Sequence, residues 1–310
     1  MKLICIGMNV ANPSERQRPV ALVTGSEGFT GLYVTAELRA AGYEVVGLSH
    51  EPAENAVIAD LCDRTALLSV VRQVQPDVVV HLAAIAFVAH GDAEAIYRTN
   101  VVGTRNLLEA LAACEHRPRA VLLASSANIY GNSDVGVLTE SVPPAPANDY
   151  AVSKLAMEYM ANLWMDRLPI ILARPFNYTG VGQTEKFLLP KIVNHFRQRA
   201  TVIELGNIDV ARDFQDVRFV ANAYRRLLDA DAVGKVVNLC SGRAHTLTDV
   251  IRMMEARAGY EIEVRVNPAF VRANEVARLT GSNRKLGELI GPLEIIPLEQ
   301  TLQWMYEARG

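Results

Sequence analysis

The residues best suited to chemistry in this 310-residue sequence are Tyr150 and Lys154, four apart at the opening of a helical pattern, so that phenol and ammonium share one face. An ammonium beside a phenol stabilises the phenolate and lets the hydroxyl exchange a proton nearer neutrality than its ordinary value of about 10 allows. A second hydroxyl, Ser126, closes the apolar run Ala120–Ser125, at the sheet edge where nucleotide-binding α/β folds place their reactive groups. A third signal is Gly25-Ser26-Glu27-Gly28-Phe29-Thr30-Gly31, which follows one apolar run and opens a helix. Gly25 permits a tight turn, Gly28 lets backbone approach a pyrophosphate, and Gly31 allows close helix–sheet packing. The bland alternatives are a solvated Tyr–Lys pair and three glycines in an ordinary turn.

These residues need elements to hold them. Short β-branched runs at Val20–Thr24, Glu44–Leu48, Ala56–Ala59, Val78–Leu82, Ala120–Ser125, Ile170–Arg174 and Val236–Leu239 alternate with helical patterns at Gly31–Ala41, Arg64–Gln73, Ala93–Cys114 and Tyr150–Asp166. Alternation of this kind predicts an α/β fold, a Rossmann-type doubly wound parallel sheet whose strands are covered on both faces. After Arg174 the pattern is broken by Pro and Gly, and a smaller, discontinuous α/β substrate-binding lobe is expected. The expected division is a leader at 1–17, a dinucleotide-binding domain at 18–178 and 214–243, and a substrate domain at 179–213 and 244–310.

A net charge of −3 without blocks of like charge argues against a nucleic-acid partner. Cys5, Cys62, Cys114 and Cys240 form no CxxC pair, which reads as reduced thiols in a cytoplasmic protein. No apolar run approaches the length of about 20 residues that a bilayer requires, so no membrane partner is expected. The start of the chain is a poor signal peptide. No histidine belongs to a metal-ligand pattern, and His81 at the end of a buried strand reads as a packed core residue. The second strand ends in Ser49-His50, where NAD enzymes usually carry a carboxylate for the ribose 2′-hydroxyl; this favours NADP(H), with NAD(H) left open by the adjacent Glu51. Asp60 and Leu61 suit the adenine side, an exposed loop acid being the equal alternative.

Together with His81-Leu82-Ala83-Ala84, Asn100-Val101-Val102-Gly103-Thr104, Ser125-Ser126-Ala127-Asn128-Ile129-Tyr130-Gly131 and Arg174-Pro175-Phe176-Asn177, these motifs resemble the extended short-chain dehydrogenase/reductase family of nucleotide-sugar enzymes, from about Val20 to the C-terminus. The resemblance implies that Ser126 hydrogen-bonds the substrate oxygen, that Tyr150 exchanges the proton, and that Lys154 grips the nicotinamide ribose. It extends the cofactor contacts to Phe29, Leu82, Ala83, Ala84, Asn100 and Pro175. It also implies a homodimer built on a pair of long helices.

Gly206–Phe214 and Asn274–Ser282 resemble stretches shared by GDP-mannose 4,6-dehydratases and GDP-4-keto-6-deoxymannose reductases, implying a GDP-sugar substrate touched by Asn177, Lys191, Arg212, Glu275 and Arg278. The arginines are fixed cations suited to a diphosphate, although arginines on solvated faces are commoner. Those dehydratases carry acidic residues directly after the Ser or Thr. Here stand Ala127 and Asn128, and neither a methyl group nor a carboxamide exchanges a proton near neutral pH. The expectation is therefore reduction of a 4-keto group to give GDP-D-rhamnose. The departures Tyr178 and Val181 leave the branch assignment open; the alternatives are a dehydratase using Glu140, a 4-epimerase with the same Ser-Tyr-Lys set and retained NAD, and a non-catalytic dinucleotide sensor, against which the intact Tyr150 and Lys154 argue.

Overall fold

A computed structural model describes residues 16–52, 56–86, 91–133, 135–270 and 277–308. In chain order the first part of the protein runs β1 (Val20–Thr24), α1 (Phe29–Ala40), β2 (Glu44–Ser49), β3 (Ala56–Ile58), α2 (Arg64–Val74), β4 (Val78–His81), α3 (Ala93–Tyr97), α4 (Thr104–Ala112), β5 (Ala120–Ala124), α5 (Asp149–Asn162) and β6 (Ile170–Pro175). It continues β7 (Asn177–Thr179), α6 (Leu188–Arg197), β8 (Val202–Leu205), β9 (Ala211–Arg212), β10 (Phe214–Asp216), α7 (Val217–Asp229) and β11 (Val236–Leu239). The rest is β12 (His245–Thr246), α8 (Leu247–Ala258), β13 (Glu263–Val266), β14 (Arg278–Leu279), α9 (Arg284–Ile290) and α10 (Leu298–Glu307).

The chain divides into two compact units. One takes the residues up to Ile129, Asn148–Arg174 and Ala221–Val237; the other takes Tyr130–Ala147, Pro175–Val220 and the residues from Asn238 onward. The first is built on a seven-stranded sheet in the order β11-β6-β5-β4-β1-β2-β3, with parallel pairing from β6 through to β3. Every residue of β1 and β4 is buried, as continuous apolar strands covered on both faces must be. Leu22, Val46, Val79, Val121 and Leu172 of the sheet pack with Leu67, Val70 and Val74 of α2 and Leu107 and Leu111 of α4. α2 is started by Asp63, whose carboxylate accepts from Ala66 N (2.9 Å).

The span Ala93–Cys114 reads as a single helix, yet between α3 and α4 the turn Arg98–Gly103 is π-helical. A Cβ on Gly103 would come within 2.9 Å of the Leu61 side chain, so the segment is pressed against the loop after β3. The wider turn also keeps Asn100 and Gly103 buried while the helical path continues. In the second unit, Ile192, Val193 and Phe196 of α6 form a core with Val250 and Met254 of α8 and Leu302 and Met305 of α10. Three small sheets complete it, β10-β7, β12-β9-β14 and β13-β8.

Close approach fixes the glycine at the third turn position: a Cβ on Gly31 would run into the Gly25 carbonyl oxygen and lie 2.6 Å from that of Ser26. Gly31→Ala is expected to cost about 1–3 kcal/mol of stability by overpacking. Gly136→Ala, where an added Cβ meets nothing within 4 Å, should stay within about 0.5 kcal/mol. Thermal unfolding of both variants checks the contrast.

Candidate active site

The strand order reverses direction between β1 and β4, the switch point where open parallel sheets hold ligands. The glycine turn leaves β1 there. Gly25 has φ +69°, a conformation that side chains disfavour, and a Cβ on it would press within 3.0 Å of the Ala83 backbone. Gly28 caps α1 without a side chain, so nothing of its own covers the positive end of that helix. Gly47 brings β2 against Ser26, and a Cβ there would lie 3.0 Å from the Ser26 Cβ. A cradle that side chains would fill, at a helix start and beside Leu82–Ala84, fits the pyrophosphate of a dinucleotide.

Around this cradle the other expected cofactor contacts take varied positions. Phe29 packs edge-on against Tyr33. Ser49 is half-buried and accepts from Glu51 N (3.2 Å), while His50 is exposed. Asp60 is exposed and accepts from Cys62 N (2.8 Å); Leu61 is buried, and its carbonyl accepts from Asn106 Nδ2 (3.1 Å). Asn100 is buried with both amide hydrogens donated inside the protein, to Ile85 O (3.1 Å) and Ser153 Oγ (3.0 Å).

At the end of β5 the chain turns into a short 3-10 helix, Ala127–Tyr130, and Ser126 stands just before it, buried, accepting from Asn128 N (3.1 Å). α5 begins at Asn148, whose carboxamide accepts from Ala151 N. Its inward face carries Tyr150, Lys154 and Glu158 at successive turns, all buried. Lys154 Nζ donates to Ala124 O (2.7 Å), tying this face to the last residue of β5, and lies 6.0 Å from the centre of the Tyr150 ring. Burial pushes Lys154 down to about 8, partly offset by the carboxylate of Glu158. Glu158 is itself held by a two-pronged pair with Arg174, Nε to Oε1 at 2.9 Å and Nη2 to Oε2 at 2.6 Å. The helix thus presents a phenol, an ammonium and a carboxylate in one buried line. A phenol with an ammonium beside it can exchange a proton, the ammonium stabilising the phenolate that remains.

In the second unit, Asn177 is exposed on β7 and Pro175 is buried. Lys191 Nζ donates to Glu204 O (2.8 Å) and lies 4.7 Å over the Phe270 ring. The ribbon β12-β9-β14 puts Arg212 and Arg278 on adjacent strands, with Arg278 opposite Ala211 and Arg212 opposite Leu279. Arg212 also donates to Ala211 O (3.0 Å) and Ala277 O (3.3 Å). Glu275 lies outside the described residues. Glu140 accepts from Asn238 N (2.8 Å), which occupies it structurally. Asp213, not singled out by the sequence reading, is fully buried and accepts from Ser241 N, Ser241 Oγ and Gly242 N at 2.6–2.9 Å. Its place within the Arg212-Asp213-Phe214 run was the one signal that could have found it. Among the described residues no group of three or more His, Cys, Asp or Glu could hold a metal ion, and no helix is long and apolar enough to cross a membrane.

His81 is enclosed between two threonine hydroxyls, Thr24 Oγ1 at 2.7 Å from Nδ1 and Thr104 Oγ1 at 2.8 Å from Nε2. Burial, with a smaller push from Lys154, lowers its pKa to about 3. The unfolded chain protonates this ring near 6.5, so from about 6.5 down to 3 the unfolded state binds more protons and stability falls with pH, by up to about 1.4 kcal/mol per unit. Urea unfolding between pH 7 and 4.5 should show a shallower pH slope for His81→Asn than for the unaltered protein; equal slopes would contradict it.

Residues 21–240 match the NAD dependent epimerase/dehydratase family. The GDP-6-deoxy-D-mannose reductase of Pseudomonas aeruginosa is 34% identical over 294 residues, 91% of this chain and 94% of that protein. The GDP-6-deoxy-D-talose 4-dehydrogenase of Aggregatibacter actinomycetemcomitans is 32% identical over 292 residues, 93% of this chain and 97% of its own. Among solved structures, RMD from Pseudomonas aeruginosa complexed with NADPH superposes with a TM-score of 0.82 at 32% identity, covering 93% of this chain and 96% of that one. A Burkholderia cenocepacia protein described provisionally as an epimerase reaches a TM-score of 0.89 at 52% identity over 94% of this chain and 97% of its own. With the glycine cradle at the switch point, the Tyr150–Lys154 pair on the buried face of α5 and a family match over most of its length, this chain is a member of the NAD dependent epimerase/dehydratase family, the extended short-chain dehydrogenase/reductases.

Proposed function

We propose that the protein reduces the 4-keto group of GDP-4-keto-6-deoxy-D-mannose, using NADPH or NADH, to give GDP-D-rhamnose. The observation that carries this is the pairing of an intact Tyr150–Lys154 couple with Ala127 and Asn128 behind Ser126. A dehydratase must take a proton from C5 and expel the C6 hydroxyl, which needs an acid and a base beyond the redox pair. Buried Ala127 has no ionisable group, and the Asn128 backbone is turned to Ser126 Oγ. Glu140 accepts from Asn238 N through Oε1, which favours a structural role for it. Reduction needs only a hydride and one proton. The reductase at 34% identity and the NADPH-bound neighbour at 32% support the same reading.

A reduced dinucleotide held in this site would supply the hydride for C4. Gly25, Gly28 and Gly31 would hold its pyrophosphate, and Phe29, Ser49, His50, Asp60, Leu61, Leu82, Ala83, Ala84 and Pro175 are the further residues proposed to contact it. Ser126 donates to the C4 oxygen as charge develops, and Tyr150 delivers the proton. Lys154, anchored on Ala124 O, stabilises the phenolate left behind and holds the ribose. Asn177, Lys191, Arg212 and Arg278 bind the GDP portion. The dehydrogenase at 32% identity favours one second reading, addition to the opposite face of the same ketone, which gives GDP-6-deoxy-D-talose. A homodimer is proposed through α5, where Val152, Tyr159 and the C-capping Leu163 form an exposed apolar stripe, Leu163 being 80% exposed.

Incubation with the purified keto-sugar should consume NADPH or NADH, and the C4 configuration of the product, read by proton NMR, separates the two sugars. No loss of reduced cofactor from either would sink the reductase reading, and tightly retained NAD without net consumption would favour an epimerase. Tyr150→Phe should lower kcat by about 10²-fold or more. Because Lys154 loses its proton as pH rises through about 8, kcat should decline on the alkaline side of that value; a flat rate from pH 7 to 9.5 would contradict it. GDP should raise Tm more than UDP or dTDP in a thermal-shift panel. Sedimentation should show a dimer that Leu163→Glu converts to monomer.

A further inference from the structure

Five buried polar residues in the first unit, linked through their side chains except at the main-chain carbonyl of Asn100, form one hydrogen-bonded chain in which every hydrogen has one place. The main-chain carbonyl of Asn100 can only accept, so Thr104 Oγ1 gives it its single hydrogen (2.7 Å). Toward His81 Nε2, at 2.8 Å, Thr104 is therefore the acceptor and Nε2 carries the proton. Nδ1 is then bare and accepts from Thr24 Oγ1 (2.7 Å), whose lone pairs receive Leu82 N (3.2 Å) and Ala83 N (3.1 Å).

The other arm closes in the same way. The Tyr150 carbonyl takes the hydrogen of Ser153 Oγ (2.7 Å), so Asn100 Nδ2 must be the donor to Ser153 (3.0 Å). That sets the carboxamide orientation, and the remaining Nδ2 hydrogen and Oδ1 clasp Ile85 O (3.1 Å) and Ile85 N (2.9 Å). No hydrogen is used twice. Thr24, Asn100, Thr104 and Ser153 are at most 1% exposed and His81 3%. Buried networks that are fully satisfied are rigid, and this one is uncharged.

Its endpoints are telling. One is the last residue of β1, directly before the glycine turn; the middle holds the loop Leu82–Ile85; the other end is the backbone of the residue proposed to deliver the proton. We propose that Ser153, Asn100 and Thr104 are positioning residues, which set the first turn of α5, and with it the Tyr150 hydroxyl, against the loop after β4 and the start of the glycine turn. The inference rests on the reductase reading for the reaction it serves, but not for the geometry.

The test uses the full chain. Ser153→Ala should reduce kcat about tenfold, a loss in the range that small misplacements of a reacting group produce, with KM for the keto-sugar and Kd for NADPH within about twofold. Thr104→Val, which leaves the shape but removes the hydroxyl, should lower kcat in the same direction, and Thr104→Ser should restore it. In a Tyr150→Phe background, Ser153→Ala should cause no further loss, because the displaced hydroxyl is already gone; general damage to the fold would lower the residual rate again. Hydrogen exchange in peptides covering residues 148–156 should speed up in Ser153→Ala and Thr104→Val but not in Thr104→Ser. Unchanged kcat in Ser153→Ala, additive loss with Tyr150→Phe, or Thr104→Ser as impaired as Thr104→Val would each overturn the proposal. If the unaltered protein leaves the keto-sugar untouched, the reductase reading fails, and the exchange pattern alone decides the positioning one: speeding as described upholds it and unchanged exchange removes it.

Discussion

Lys154 buries an ammonium on the sheet-facing side of α5, and that desolvated charge ties the helix to the ends of β5 and β6. Removing a cation from water is costly, and its burial is tolerated where opposite charge and carbonyl oxygens replace the lost solvent. Here Ala124 O supplies one such oxygen and Glu158, one turn further, the opposing charge. Glu158 would itself be a buried anion without Arg174, which grips it with two hydrogen bonds from the end of β6. A single helix face therefore joins the ends of β5 and β6 through alternating charges. Apolar replacements of buried ion pairs are often neutral or stabilising, so the polar character of this face is in keeping with the proton transfer proposed for Tyr150.

Two kinds of polar construction meet at Tyr150. The line Lys154–Glu158–Arg174 is charged and sets its ammonium 6.0 Å from the centre of the phenol ring. The chain Thr24–His81–Thr104–Asn100–Ser153 is neutral and shapes its position. Burial keeps the His81 ring uncharged beside Lys154, where a second cation would be repelled. The two constructions do not compete, since one acts on charge and the other on geometry.

The sheet supplies the frame for both. Its order puts β1 and β4 side by side at the point where the winding reverses. The glycine turn and the Leu82–Ile85 loop leave the same sheet edge because their strands pair in parallel register, Thr24 beside His81. Gly25 and Gly31 let backbone come closer than side chains would allow, which opens the start of α1 to an anion.

Local pattern was enough for a good deal of this. The run Val20–Thr24 is a strand with those bounds, the turn that follows opens a helix, and the four-residue spacing of Tyr150 and Lys154 places them on one face as soon as that segment is helical. Period and turn chemistry are properties of neighbouring residues, so they can be read without the fold. The π turn at Arg98–Gly103 was not legible, because it answers to Leu61 and Ile85, distant in sequence. Nor was the Glu158–Arg174 pair, the proton placement on His81, or the ribbon that sets Arg278 beside Ala211. Those features depend on which remote groups share a buried space, and only tertiary packing decides that: a buried polar atom must find a partner wherever the folded chain brings one.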